Sequence, residues 1–277
     1  MIVSIVAPGA MGAAVAARLV SHGVTVRTLL EGRSPATVAR AQQAGMQGVS
    51  LESLAEASLV LSIVPPAEAL PLAERLAPVL AAAPHPPVYV DCNAVSPQTV
   101  QRIAAVLAGR GVRFVDAGII GLPPGPTGRG PVFYASGPHA AALQGLAAHG
   151  LAVKLLDGPI GAASGLKMSY AGITKGLTGL AAAMMLAATR FGAAADLRAE
   201  LAESQPGLLA AFEKSVPGMY PKAYRWVAEM EEIAAFAGDD VACRQIYEGM
   251  ARLYAQLAAD RAGKGTEIAA LDAFLER

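Results

Sequence analysis

The stretch from Ile2 to Gly12, Ile-Val-Ser-Ile-Val-Ala-Pro-Gly-Ala-Met-Gly, constrains this chain more than any other. An apolar run enters a glycine turn, and a small-residue helical pattern, Ala13 to Val20, follows at once. Strand, tight turn and helix N-terminus aim backbone amides and the positive end of a helix dipole at one point, which suits a pyrophosphate. Gly9 lets the backbone approach phosphate oxygens and Gly12 lets the helix pack on the strand, with Ala10 and Met11 between them. Ala7 stands where a full G-x-G-x-x-G has its first glycine. Taken alone, the turn also fits a strand-to-helix corner that binds nothing.

The remainder of the first half repeats the same alternation. Strands are expected at Ile2–Val6, Val24–Leu29, Leu59–Val64, Val88–Asp91, Arg113–Asp116, Val132–Ser136 and Val153–Leu155. Helical patterns between them cover Ala10–Ser21, Pro35–Ala44, Ala67–Ala81, Pro97–Ala108 and Ala140–His149. This order implies a mostly parallel sheet with helices on both faces. The Pro/Gly-rich Gly121–Pro131 reads as a loop at a carboxyl edge of that sheet, where open α/β folds bind ligands. After Gly161 no strand pattern remains. One long helix, Ser164–Arg190, is expected despite five glycines between Gly165 and Gly192. Helices Ala194–Ser204, Gly207–Lys214, Lys222–Ala237, Asp240–Arg261 and Thr266–Leu275 follow. The division expected is an α/β domain at 1–160 and an all-α domain at 161–277.

Composition narrows the function classes. Lys+Arg and Asp+Glu both number 22, which argues against a nucleic-acid or anionic-membrane surface and leaves little self-repulsion against an oligomer. Cys92 and Cys243 have no metal-like spacing, so neither a zinc site nor a disulfide scaffold is expected, and a reducing cytoplasm fits. The uncharged runs Ile2–Ala17 and Gly176–Thr189 read as buried elements: the first lacks a basic leader region and the second is short for a membrane span. The four histidines, His22, His85, His139 and His149, lie in loops or near helix ends and read as surface residues.

Three further strand ends face the crevice beside the glycine turn. After the second strand comes Glu31-Gly32-Arg33-Ser34-Pro35-Ala36-Thr37. Glu31 would hold the ribose hydroxyls of NAD, whereas Arg33, Ser34 and Thr37 suit the 2′-phosphate of NADP, and Ser34 can also cap the helix at Pro35. Three phosphate-compatible groups against one carboxylate favour NADP, with NAD as the alternative. At the next end Val64 and Pro65 line the crevice, proline stiffening the loop. At the third, Asn93 can both donate and accept hydrogen bonds, which suits a carboxamide as well as it suits a turn.

The long helix carries a polar stripe. Ser164, Lys167, Tyr170, Thr174, Lys175 and Thr178 fall within an arc of roughly 140°, opposite Leu166, Ile173, Leu177, Leu180 and Met184. The stripe carries neither acid nor arginine, unlike an ordinary solvated face. A lysine there can hydrogen-bond a substrate carbonyl and pass a proton.

These residues resemble the β-hydroxyacid dehydrogenases and their relatives, 6-phosphogluconate dehydrogenase and the imine reductases. The resemblance covers residues 1 to about 190. It rests on Gly9-Ala10-Met11-Gly12, Val64-Pro65-Pro66, Val90-Asp91-Cys92-Asn93 with Ser96-Pro97, and Gly161 to Lys167. The rest looks like the helical C-terminal domain of a poorly characterised branch with the signature Lys167 to Gly176. The resemblance implies a Rossmann-type N-terminal domain that binds NAD(P), Lys167 as catalytic acid/base, and a homodimer made through the helical domain. Ala171 replaces the family's asparagine, so Tyr170 is expected to take part of its task. The family's Ser-Gly-Gly substrate loop falls at Ile119-Ile120-Gly121, which points to a more apolar substrate than a small hydroxy acid. Thr174 completes the expected substrate set, and no metal is expected. The function expected is an NADP-favouring oxidoreductase acting on a carbonyl or alcohol carbon. The alternatives are an imine reductase, a cofactor-binding sensor without turnover, and a dimerisation protein on a dehydrogenase scaffold.

Overall fold

The computed structural model describes residues 1–125 and 130–275, so residues 126–129 of the expected Gly121–Pro131 loop lie outside the described residues. The chain divides into two compact units, Met1–Met168 and Ser169–Arg277. That division falls inside the long helix, eight residues after the boundary expected at 160.

The first unit is built on one eight-stranded sheet. Its strands are β1 (Ile2–Ile5), β2 (Thr25–Thr28), β3 (Gln47–Gly48), β4 (Leu59–Ser62), β5 (Val88–Asp91), β6 (Phe114–Ile120), β7 (Val132–Ser136) and β8 (Ala152–Leu155). They lie in the order β3-β2-β1-β4-β5-β6-β7-β8, parallel throughout except for β6 against β7. Chain order reverses direction between β1 and β4, so a crevice opens at the carboxyl ends of those neighbours. β4 and β5 are buried along their whole length, as a sheet covered on both faces requires.

The helices are α1 (Ala10–Ser21), α2 (Pro35–Gln43), α3 (Leu51–Leu54), α4 (Pro66–Ala82) and α5 (Pro97–Ala108). Ser34, Ser50 and Ser96 cap α2, α3 and α5 by accepting an amide from the third residue on. Two cores flank the sheet. Val3, Ile5, Val90, Val115, Ala117 and Ile119 pack with α1 residues Val15 and Leu19 on one face. Val60, Tyr89 and Phe114 pack with Leu72 and Leu76 of α4 and Ile103 of α5 on the other. The expected helix Ala140–His149 is a 3-10 helix. Its ten alanine- and leucine-rich residues carry an apolar pattern that does not distinguish i→i+3 from i→i+4 bonding.

The long helix α6 (Ala162–Arg190) starts in the first unit and continues in the second. The second unit adds α7 (Ala194–Ser204), α8 (Pro206–Met219), α9 (Ala223–Phe236), α10 (Val241–Ala262) and α11 (Thr266–Phe274). α8 runs through Pro217 and ends five residues beyond the expected Lys214. Glycines in α6 receive side chains of α10: a Cβ on Gly172 would meet the Tyr247 hydroxyl at 2.8 Å, and one on Gly179 would meet Met250 Sδ at 2.7 Å. Lys175 pairs with Glu229 of α9, both side chains mostly buried. The Lys175 ammonium lies 5.0 Å from the Trp226 ring centre, and Trp226 meets Tyr254 edge-on at 5.2 Å. The Tyr254 hydroxyl donates to the Lys175 carbonyl at 2.5 Å. Lys175 and the buried Thr178 therefore serve the interior of this unit rather than an open polar stripe. Among the described residues, α6 is the one helix long and apolar enough to cross a membrane by length and composition, and 44% of its most apolar window is buried.

Candidate active site

The glycine turn sits at the carboxyl end of β1. Gly9 is the N-cap of α1 with φ −66° and ψ 179°, which any residue can adopt, and a Cβ there would touch nothing within 4 Å. The protein's own packing therefore does not require glycine at position 9; the space above it is open to a ligand. Gly12 differs: its Cβ would come within 2.4 Å of the Ala7 carbonyl oxygen. No side chain caps α1, in contrast to the serine-capped α2 and α5, and no acid lies in its first turn. Those first-turn amides and the helix dipole remain directed at the open space, as a pyrophosphate requires.

Beside the turn lies a cavity of about 690 Å³ lined by Ala7, Leu29, Glu31, Arg33, Val64 and Pro65, with Leu72 and Arg75 of α4. Arg33, Val64 and Pro65 are thus brought together as the sequence suggested. Ser34 is not part of the lining; its hydroxyl caps α2 at Thr37. Arg75 supplies a second guanidinium that sequence reasoning missed. It sits in the third turn of a helix, where no turn motif marks it.

Asn93 lies at the end of β5 and is almost fully buried. Its Nδ2 donates to Ser62 Oγ at 2.8 Å and to Asp91 Oδ2 at 2.7 Å, while its Oδ1 accepts the Val64 amide at 2.7 Å. Both of its protons are spent inside the protein. The expectation that it also donates to a ligand is therefore corrected: it ties β4 to β5 and holds Val64, with one Oδ1 lone pair left over. Burial pushes the Asp91 carboxyl up to about 7, against the bonds from the Asn93 amide and side chain; Asp116 raises it further and Lys167 pulls it down. Burial also pushes the Cys92 thiol up, which suits a packing residue and not a nucleophile.

Lys167 stands at the carboxyl end of β6. Its Nζ donates to the Ile119 carbonyl at 3.0 Å. Strand alternation puts Phe114, Asp116, Gly118 and Ile120 on one face, and a Cβ on Gly118 would lie 2.9 Å from the Ala163 oxygen and 3.1 Å from Lys167 Cβ. The Ile119 side chain points the other way, into the core with Val115 and Ala117. Ile119 therefore does not wall a substrate space; only its carbonyl reaches the lysine. Gly121 follows at φ 128°, ending the strand in a conformation that glycine tolerates.

Tyr170 and Thr174 belong to the stretch of α6 in the second unit. Tyr170 is half exposed, and the Thr174 hydroxyl donates to the Tyr170 carbonyl at 2.9 Å. Among the described residues no group of three or more His, Cys, Asp and Glu could hold a metal. The histidines are exposed or half-buried at helix ends and loops, as expected.

A doubly wound sheet with an uncapped helix over a glycine turn, and a cavity at the switch point, defines a nucleotide-binding α/β protein. The chain belongs to the family of the NAD binding domain of 6-phosphogluconate dehydrogenase, which matches residues 3–148, just over half of its length. Residues 188–257 match a second family described only as a domain of unknown function. The chain is 29% identical to a conserved protein of unknown function whose structure is described as similar to 3-hydroxyacid dehydrogenases; the two superpose with a TM-score of 0.73 over 95% of this chain and 98% of that one. Mycobacterium tuberculosis 3-hydroxyisobutyrate dehydrogenase with L-serine shares the fold at a TM-score of 0.68 and 22% identity, over 94% of each chain. Aspergillus terreus reductive aminase, solved with NADPH4, cyclohexanone and allyl amine, shares it at 0.55 and 20%, over 98% of each.

Proposed function

We propose that this chain is an NADP-preferring oxidoreductase acting on the carbonyl or alcohol carbon of a small substrate, with Lys167 as its general acid/base. The supporting observation is the order of groups along one sheet edge. Arg33 follows β2, Gly9 follows β1, Val64 follows β4, Asn93 follows β5, and Lys167 meets the end of β6. Five adjacent parallel strands span about 19 Å from first to last, the scale of an extended dinucleotide with a substrate beyond it.

In this reading Arg33 and Arg75 take the 2′-phosphate, with Ser34 fixing the start of α2 beside them. Gly9, Ala10, Met11 and Gly12 present amides to the pyrophosphate, and Val64, Pro65 and Asn93 border the nicotinamide. The cofactor supplies or accepts a hydride when bound. The Lys167 ammonium, held at the Ile119 carbonyl, gives a proton to the substrate oxygen in reduction, and the amine that remains takes one back in oxidation. Ile120 and Gly121 border the substrate. A second reading, reduction of an imine, is favoured by the end of β6, where Ile120 and Gly121 offer no side-chain hydrogen bond to a carboxylate.

We also read the protein as a homodimer of the cytoplasm. Tyr170, Ile173, Leu177, Leu180 and Met184 are exposed along α6 at alternating steps of three and four, the spacing of a helix-pairing seam. Sedimentation should give twice the chain mass of 28.2 kDa, and Leu180→Glu should shift it toward the monomer.

The deciding experiment is titration with NADPH and NADH, followed by a panel of hydroxy acids, ketones and cyclic imines. NADPH should bind more tightly, and Arg33→Ala or Arg75→Ala should remove that preference. Lys167→Ala should keep cofactor affinity and lose about 10²–10⁴ in turnover. Near-wild-type turnover in that variant would remove Lys167 from the mechanism. Tight NADPH binding with no turnover across the panel would favour a sensor instead.

A further inference from the structure

The acid/base reading requires the Lys167 amine to be held in place, and the structure contains a group arranged to do so. Asp116 is wholly buried on β6, in register with Asp91 of β5. Its Oδ2 accepts the amides of Gly161 at 2.8 Å, Ala163 at 3.1 Å and Ser164 at 3.2 Å, together with the Ser136 hydroxyl at 2.9 Å. Its Oδ1 accepts the Ser164 hydroxyl at 2.6 Å. A carboxylate from the sheet thus caps α6 across 45 to 48 residues of sequence, where α2, α3 and α5 use a local serine. Two residues further along β6, Gly118 lets the helix approach, and at Ile119 the strand receives the lysine. Lys167 lies one turn past the capped amides, so the position of its amine follows from where the helix begins.

We propose that Asp116 is the positioning residue for Lys167: by anchoring the first turn of α6 to β6 it fixes where the lysine amine stands. Asp116 does not touch substrate or cofactor in this scheme. The buried carboxylate is compensated by the helix amides and their dipole, and it transmits the position of the strand to the helix as a rigid contact. The inference rests on the acid/base reading of Lys167 for its functional meaning, but its geometry can be tested without turnover.

The test compares wild type, Asp116→Asn, Asp116→Ala and Ser164→Ala. Lysine amines are labelled competitively with acetic anhydride and resolved by mass spectrometry, with the exposed Lys154 of β8 as internal control; amide exchange is followed over residues 161–164. Removing the charged acceptor should raise exchange at Gly161, Ala163 and Ser164 by about tenfold. It should also raise Lys167 labelling several-fold while Lys154 stays constant. Asp116→Ala should exceed Asp116→Asn, and Ser164→Ala, which leaves the carboxylate in place, should give a smaller change of the same sign. That last variant answers the question even where the acid cannot be replaced in a folded chain. Unchanged Lys167 labelling beside raised exchange would overturn the proposal, as would Lys167 and Lys154 rising together. In turnover, kcat should fall in Asp116→Asn with NADPH affinity kept. Normal kcat there would sink the positioning role and spare the acid/base reading; shifted labelling in a protein inert to every substrate would do the reverse.

Discussion

Alanine at Gly9 and at Gly12 should produce opposite results, although the two positions are three residues apart in one turn. At Gly12 the new Cβ would stand 2.4 Å from the Ala7 carbonyl oxygen and 3.3 Å from Ile5 Cγ2. The first contact is roughly an ångström inside ordinary packing distance, and the obstacle is backbone, so α1 must move away from β1. Overpacking of this kind costs about 1–3 kcal/mol. At Gly9 the Cβ meets nothing, and the backbone is already extended. Alanine there loses some capping quality and gains by restricting the unfolded chain, two effects of about 1 kcal/mol or less that oppose each other. Stability of Gly9→Ala should thus stay within about 1 kcal/mol of wild type. Its methyl would nevertheless occupy the approach to the α1 amides. Losing one charge-assisted amide–phosphate contact costs about 1.5–3 kcal/mol, or about 10–100-fold in affinity. Urea denaturation and calorimetric titration with NADPH measure the two quantities on the same samples. Gly9→Ala binding NADPH within twofold of wild type would refute the placement of the pyrophosphate; Gly12→Ala with unchanged stability would refute the packing argument.

Asp91 makes stability depend on pH. Its folded pKa of about 7 lies above the ordinary value of 3.8, so between those values the folded state holds a proton that the unfolded state releases. Stability should therefore fall as pH rises from about 4 to about 7 and level off above, by an amount on the order of a few kcal/mol. Asp91→Asn should flatten that slope in melting curves across this range; an unchanged slope would show that another group carries it. In the second unit, Glu229→Ala strands the Lys175 ammonium among α6 and α9 side chains that leave it mostly buried. Denaturation should register a loss of about 2–4 kcal/mol, and a loss near zero would mean that Trp226 and solvent suffice for the charge.

Much of the sheet was legible because its central strands are short apolar runs between turn residues; Val88–Asp91 and Val132–Ser136 match to the residue. β3 and α3 escaped, having two and four residues and no period to read. β6 runs four residues past the expected Asp116, because Gly118 interrupts the pattern of a strand that glycine in fact permits to lie against α6. Along the crevice, the positions of Gly9, Gly12, Arg33, Val64 and Pro65 were readable from their place after successive strands. Asn93 was readable in position but not in role, since its partners Ser62 and Val64 come from the next strand of the sheet. Asp116 was hidden for the same reason at greater range: no local spacing rule records a cap drawn from a strand more than forty residues upstream.

The glycines of α6 carry a consequence for how the chain is made. Gly165, Gly172, Gly176 and Gly179 all lie within this helix, and each is worth about 1 kcal/mol less than alanine there. The side chains that fill the grooves at Gly172 and Gly179 are Tyr247, Met250 and Tyr254, which leave the ribosome about 75 residues later, roughly 4–15 s at ordinary rates of synthesis. For those seconds the segment is an apolar, glycine-rich piece of chain whose partner does not yet exist. α10 completes it, so a chain interrupted before α10 leaves this apolar stretch of α6 without the side chains that fill its grooves.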